Sequence, residues 1–404
     1  MMRAKSTLLG LMTAVMVVAT QAVLADNPVR LHEQILTHSR IGQVHVMVPE
    51  NYQLEILNDQ LRRPRLITFA PNGDMFIGSE SRVYLLKPPY EQAIDYLYLD
   101  GYPHSVAIRG EEMFIASTGA LFKAHYKPET VRINAVDLTL VTRLPGGFGH
   151  SSRTVAVSPG NEIFVSIGIS GNCNNQMISD SYPFKDRRGG LFRLDESSDP
   201  DRLVPFASGL RNPVGFDWHP TSHVMYATNN GPDHLGFDQP PEYFSKITPG
   251  SFHGMPWYQY DGQSVRKDPC ITAKAPYPVG EVSIPVALFP SRNAPLGVAF
   301  VPTEAMDKRF QSNAIVALHG SWGTQPDGLF TGSAASRRPP AVVMVRFIGE
   351  ESAGVEPIVT GFQNEDGRRW ARPAGVAVGP DGSLYITSDS GDLHGLLRLR
   401  RKNN

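Results

Sequence analysis

The chain has 404 residues, with 38 Lys and Arg against 39 Asp and Glu, and its formal charge of −1 disfavours nucleic acid or an anionic membrane surface as a partner. Its 37 Gly, 33 Pro and 41% apolar residues describe a turn-rich globular chain with a sizeable core, which excludes disorder, collagen and coiled coil. Two cysteines and no CxxCH exclude a disulfide-rich mini-scaffold, an iron–sulfur protein, a Cys-based zinc module and an attached c-type haem.

At the N-terminus, Arg3 and Lys5 precede an uncharged apolar stretch from Leu8 to Val18, and Val23-Leu24-Ala25 then offers small residues ahead of Asp26. This pattern predicts a cleaved signal peptide over 1–25 and a single domain over 26–404, placed in the periplasm or secreted. The apolar core falls short of the ~20 residues a membrane span needs, and no later segment supplies one. In an oxidising compartment Cys173 and Cys270 have the option of pairing, but the sequence leaves that open.

Further along, one unit recurs: a β-rich run, a Pro, Asn, Asp or Gly turn, and a second β-rich run. The six copies are Leu66–Ser79, His104–Ser117, Thr154–Ile167, Val214–Thr228, Leu296 to His319 with an insertion, and Ala374–Ser388. Their starts lie 38 to 82 residues apart, room for a four-stranded unit and its loops. The expected fold is all-β, a six-bladed β-propeller of four-stranded antiparallel blades. Only Gly395–Arg400 remains after the last copy, so the N-terminal run Val44–Leu57 is expected to complete the last blade and cover its edge.

In a propeller the residues before each inner strand converge at one mouth of the channel. Here they include Arg65, His104, His150, Arg153, Arg211, Asn212, Arg292, Asn293 and Arg372, a basic and polar ring suited to an anionic or quinoid ligand. His219, His223 and His234 share no face that would make them a zinc site.

The ordered pieces Gly147-Phe148-Gly149-His150, Gly209-Leu210-Arg211-Asn212-Pro213-Val214-Gly215, Asn229-Asn230-Gly231-Pro232-Asp233, His319-Gly320-Ser321-Trp322 and Arg372-Pro373 resemble the soluble quinoprotein sugar dehydrogenases, the glucose and sorbosone type. The resemblance spans nearly the whole mature chain. It implies pyrroloquinoline quinone and Ca²⁺ as cofactors, a small sugar as substrate, and a separate cytochrome or quinone as electron acceptor. It also implies His150 as general base, Arg211 near the reactive carbonyl, and His104, Asn212, Trp322 and Arg372 as further cofactor contacts. The carbonyls of Gly231 and Pro232 are the implied calcium ligands, an oxygen-only set that suits this hard cation.

Two departures stand out. Where relatives place a Gly-Asp pair whose carboxylate holds the base, Gly168 is followed by Ile169 and Ser170, and no lysine occurs between Lys308 and Lys402 to reach the cofactor. Arg337 or Arg338, in the insertion 323–340, is the expected substitute for the lysine. A propeller that binds a sugar or a partner without turnover is the alternative function. A calcium-dependent lactonase is a third, opposed by the basic mouth, since it needs converging acidic ligands.

Overall fold

A computed structural model describes residues 28–197 and 202–402, so the expected signal peptide lies outside the described residues. Six four-stranded antiparallel sheets follow one another around the ring, four of them built of consecutive strands; in the fourth a small hairpin precedes the outer strand, and the sixth takes its outer strand from the N-terminal part of the chain. Each copy of the repeat forms the first two strands of one blade. In the third blade, for example, Arg153–Val157 pairs with Ile163–Ile167, which is followed outward by Gly190–Asp195 and Arg202–Ser208. Val, Ile, Leu and Phe dominate these strands, and the middle ones are buried on both faces because neighbouring blades pack against them.

The ring closes through the last sheet, in which Tyr52–Asn58 pairs with Gly395–Arg401. This divides the expected N-terminal run. Its second half is the closing strand, whereas Gly42–Pro49 forms a separate hairpin with Leu31–His38 and touches the fifth blade through a bridge from Met47 to Thr360. Val44, Val46 and Val48 are buried in the cluster shared by the fifth and sixth blades, so this hairpin covers apolar surface as well as sheet edge.

The first strands of all six blades surround the channel. Threonine hydroxyls join them by donating to main-chain carbonyls of the next blade: Thr68 to Val106 at 2.5 Å, Thr228 to Leu296 at 2.9 Å and Thr387 to Arg65 at 2.6 Å, with Thr154 to Val214 in the same arrangement. Each bond settles a buried carbonyl that no ladder reaches. The approach is close enough to require glycine at Gly215, where a Cβ would lie 2.2 Å from the Leu296 carbonyl oxygen.

Three long excursions leave this frame, and the last of them lines the cavity described below. They are the loop between the second and third strands of the third blade, the long connection within the fourth blade that carries a small hairpin (Tyr258–Tyr260 with Val265–Lys267), and the insertion 323–340. The disulfide that the sequence left open is formed between the first two, joining Cys173 to Cys270 across a Cα separation of 5.8 Å.

Candidate active site

The residues preceding the inner strands gather at one mouth of the channel around a cavity of about 970 Å³. Among the sequence-predicted site residues, His150, Arg211, Asn212, Gly231 and Trp322 line it.

His150 ends a loop that two guanidinium groups hold from below. Arg188 donates to the carbonyls of Phe148, His150 and Gly168, and Arg153 donates to those of His150, Ser152 and Pro145, all at 2.8 to 3.0 Å. Arg153 is therefore a buried brace and not a channel-facing cation. The imidazole Nδ1 donates to the carbonyl of Ile169 at 2.5 Å, so a main-chain oxygen orients the ring where a carboxylate was missing. That leaves Nε2 without a protein partner among the described residues. Burial, with the nearby Arg211 charge, pulls His150 down to about 4, so the ring is neutral and able to accept a proton at neutral pH.

Across the fourth blade, Arg211 donates from Nε to Asn172 at 3.0 Å and from its terminal nitrogen to Asp233 at 2.7 Å, while Arg292 donates to the other Asp233 oxygen at 2.8 Å. The Asn212 amide donates to the Asn230 side chain at 2.8 Å. Beside them Gly231 and Pro232 are buried, and their carbonyls accept no hydrogen bond among the described residues. The Gly231 amide donates to the carboxylate of Glu242, whose side chain is buried on the same wall. Burial pushes Glu242 up to about 7 in spite of that amide and of Arg211. Undonated carbonyls beside a buried carboxylate are oxygen donors of the kind calcium takes, although of the two carbonyl residues only Gly231 lines the cavity and Pro232 does not.

The opposite wall carries a constellation that sequence reasoning missed. His319 Nε2 donates to Asp389 at 2.7 Å, Arg65 pairs with the other oxygen of the same carboxylate, and the Ser390 hydroxyl donates to it at 2.7 Å. All three side chains of the His319, Asp389 and Arg65 cluster are nine-tenths buried and border the cavity. Burial holds His319 at about 4. Burial works against ionisation of Asp389, yet His319 and Arg65 keep it well below the usual carboxylate range. His319 was visible only as part of a motif, and Asp389 lies 70 residues further on, so no local spacing joined them.

The remaining predicted contacts fall elsewhere. His104 is completely buried, bonds the Arg153 carbonyl through Nδ1 at 3.2 Å and does not line the cavity; Tyr102, whose ring lies against it, does. Arg372 lies beneath the mouth, donating to the carbonyls of His319 and Gly320 at 2.9 Å, with its guanidinium 4.0 Å from the Trp322 ring centre. It props up that ring, whose surroundings leave it 61% exposed. Arg338 pairs with Asp238 at 2.5 Å over the Phe237 ring, and neither it nor Arg337 borders the cavity. The insertion instead contributes Leu329 and Phe330 to the wall. The mouth is also not purely basic: beside Arg63, Arg65, Arg211 and Arg292 it is lined by Glu80, Asp233, Glu242 and Asp389, and all but Glu242 pair with those arginines. The charge argument against a lactonase therefore does not hold.

A family model described as TrAA12-like matches residues 46–250, just over half of the chain. A curated relative, an uncharacterized protein of Borreliella burgdorferi, is 25% identical, with 85% of this chain and 88% of the relative covered. Among solved structures, an iodide structure of the family AA12 enzyme of Trichoderma reesei superposes with a TM-score of 0.72 at 18% identity, covering 88% of this chain and 97% of that one. The holo form of the pyranose dehydrogenase PQQ domain of Coprinopsis cinerea gives 0.71 at 18% identity, covering 89% and 97%. The apo soluble aldose sugar dehydrogenase of Escherichia coli gives 0.60 at 18% identity, covering 87% and 99%. These likenesses establish the shared fold, and the family match agrees with the resemblance read from the sequence.

Proposed function

The chain belongs to the TrAA12-like family, and on that footing we propose that it is a quinoprotein sugar dehydrogenase of the periplasm or cell exterior, using pyrroloquinoline quinone and Ca²⁺ to oxidise a small aldose or related sugar alcohol or aldehyde. The observation that carries this reading is one cavity that combines oriented, neutral imidazoles with Arg211 and the buried Gly231 and Glu242. The similar structures, among them a PQQ domain and an aldose sugar dehydrogenase, support the same class.

The residues present fit the implied groups. Gly231, Pro232 and Glu242 would hold calcium. The quinone is a flat, anionic tricycle. Arg211 and Asn212 offer donors to it, and the Trp322 ring, backed on one side by Arg372, offers an aromatic wall. When bound, the quinone supplies a hydride acceptor, the hard part of the chemistry.

What the chain itself must do is take the hydroxyl proton of the sugar as hydride leaves the same carbon. His150 is one candidate, with its free Nε2 oriented by the Ile169 carbonyl. The second reading assigns the base to His319, whose Nδ1 is the accepting atom once Nε2 donates to Asp389; that direct carboxylate contact would stabilise the proton gained, against the charges of Arg372 and Arg65, while His150 has Arg211 nearby and no carboxylate hydrogen bond. In either case Leu329 and Phe330 add apolar surface to the cavity wall. Electrons then pass to a separate acceptor.

Addition of the quinone with Ca²⁺ to purified protein tests the proposal. A cofactor spectrum and sugar-dependent dye reduction are expected. Absence of quinone binding at micromolar concentration would instead leave a propeller that binds a sugar or partner without turnover.

A further inference from the structure

On the rim of the fourth blade, outside the cavity, three chain segments meet at the disulfide. His234 directs Nδ1 toward the Cys173 sulfur at 3.9 Å, and the ligand atoms of Cys173, His234 and Cys270 all lie within 4.8 Å of one another. The other ring nitrogen, Nε2, faces both oxygens of Asp268 at 2.9 and 3.1 Å. Asp268 has no side-chain exposure and is itself fixed by the Gln259 amide at 3.0 Å and the Cys270 main-chain N–H at 2.8 Å.

A carboxylate at Nε2 selects the tautomer that donates there and leaves the Nδ1 lone pair directed at the sulfurs. A lone pair facing a disulfide meets no donor. The same lone pair facing two thiolates completes a metal-binding set, with the buried carboxylate behind the histidine in its usual supporting position.

We propose that Cys173, Cys270 and His234 form a redox-gated site for a soft or borderline divalent cation such as Zn²⁺, closed while the disulfide is intact and opened by a dithiol or phosphine reductant. A dithiol gives two electrons and two protons to the disulfide, yielding two cysteine thiols and the oxidised reductant. Binding of the cation then releases the two thiol protons and forms two metal–sulfur bonds and one metal–nitrogen bond. A fourth tetrahedral position is left for water. Thiolate ligands make this site chemically distinct from the oxygen-only set at Gly231 and Pro232.

The site has a mechanical link to the cavity. Asn172, next to Cys173, accepts from Arg211 Nε and from the Asp233 main-chain N–H, so what holds Cys173 also holds the Arg211 and Asp233 pair.

The test is an optical titration of the full-length mature protein with Co²⁺, in oxidised form and after phosphine reduction and removal of the reductant, with Zn²⁺ as competitor. The expected result is one equivalent of Co²⁺ with a near-ultraviolet thiolate band in the reduced protein only, displaced by Zn²⁺. Asp268→Asn should weaken binding about 10- to 100-fold, the usual effect of losing the carboxylate behind a ligating histidine. His234→Ala should weaken it at least as much. Absence of the thiolate band in the reduced protein overturns the proposal, as does binding unchanged in His234→Ala. Loss of the β-sheet circular dichroism signal on reduction also overturns it, because the site requires the folded rim. None of these readouts involves the quinone, so failure here is separate from failure of the dehydrogenase reading.

Discussion

The channel has two ends built from the same six inner strands, and they differ in almost every chemical respect. One opens into the large cavity bordered by ionisable side chains; the other is a hollow of about 300 Å³ lined mainly by the strands themselves, where Asp217 is the single ionisable group among the described residues. The strands are interchangeable scaffolding at both ends. The difference comes from the connecting segments: the loops before the inner strands, the stretch from Asn230 to Glu242 in the fourth blade and the insertion of the fifth supply most of the lining of the large cavity. A frame that must close has little freedom to vary, so function accumulates where the loops are.

The sharpest way to break this comparison is to alter the two imidazoles. His319→Ala or His150→Ala, whichever removes the base, should cut turnover by about 10²–10⁴ while quinone binding is retained. Asp389→Asn should reproduce the His319 phenotype and spare that of His150. Both imidazoles lie at about 4, so the acid limb of kcat/KM is expected near pH 4 and not near 6.5. Stopped-flow reduction with a saturating sugar across pH 3.5–8 would read both quantities. Equal, small losses in both alanine variants would remove imidazole from the chemistry altogether.

Next in size is the cation wall. Glu242→Gln keeps the hydrogen-bonding shape but removes the charge, and quinone affinity should fall about 10- to 100-fold and become more sensitive to chelator. Affinity indifferent to both the substitution and the chelator would detach Gly231, Pro232 and Glu242 from any metal role. Trp322→Ala should have a smaller effect, up to about tenfold on the quinone dissociation constant, in keeping with the modest worth of one aromatic contact. Replacing Arg337 and Arg338 together by Ala should change that constant less than about twofold, because Arg338 is occupied by Asp238 and Phe237 away from the cavity.

These expectations also mark what the sequence made legible. Six copies of a hairpin pattern were enough to read the propeller, because alternating apolar residues and turn chemistry are local signals. The motifs around His150, Arg211 and Gly231 were likewise continuous in the chain. Asp389 was not, because it acts on residues of other loops and no local pattern links it to His319 or Arg65; Glu242 closes the same connection as Gly231, 11 residues on, but no motif marks it. The missing carboxylate behind His150 looked like a defect until the Ile169 carbonyl was seen in that place, since a main-chain oxygen leaves no trace in residue identity. His104 and Arg372 carried the right residue types in the right register, but side-chain direction placed one in the wall between blades and the other beneath Trp322.

The smallest effect belongs to the other end of the channel, and it is one of stability. Burial pushes Asp217 up to about 6, although the main-chain N–H groups of Phe300 and Trp218 donate to its two oxygens at 2.7 and 2.8 Å and pull the other way. Its ordinary value is 3.8, so between that value and about 6 the folded protein binds more protons at this position than the unfolded chain does. Stability from this group is therefore complete below about pH 4 and is lost as pH rises through 6. Melting temperatures of the wild type and Asp217→Asn, measured from pH 4 to 7, isolate it: the variant should lack this fall, so the gap between the two proteins should shift in the variant's favour as pH rises. Turnover of Asp217→Asn relative to wild type should stay constant over the same range. A parallel pair of melting curves would show that the carboxyl titrates normally, and a loss of turnover would show that the two ends of the channel are coupled after all.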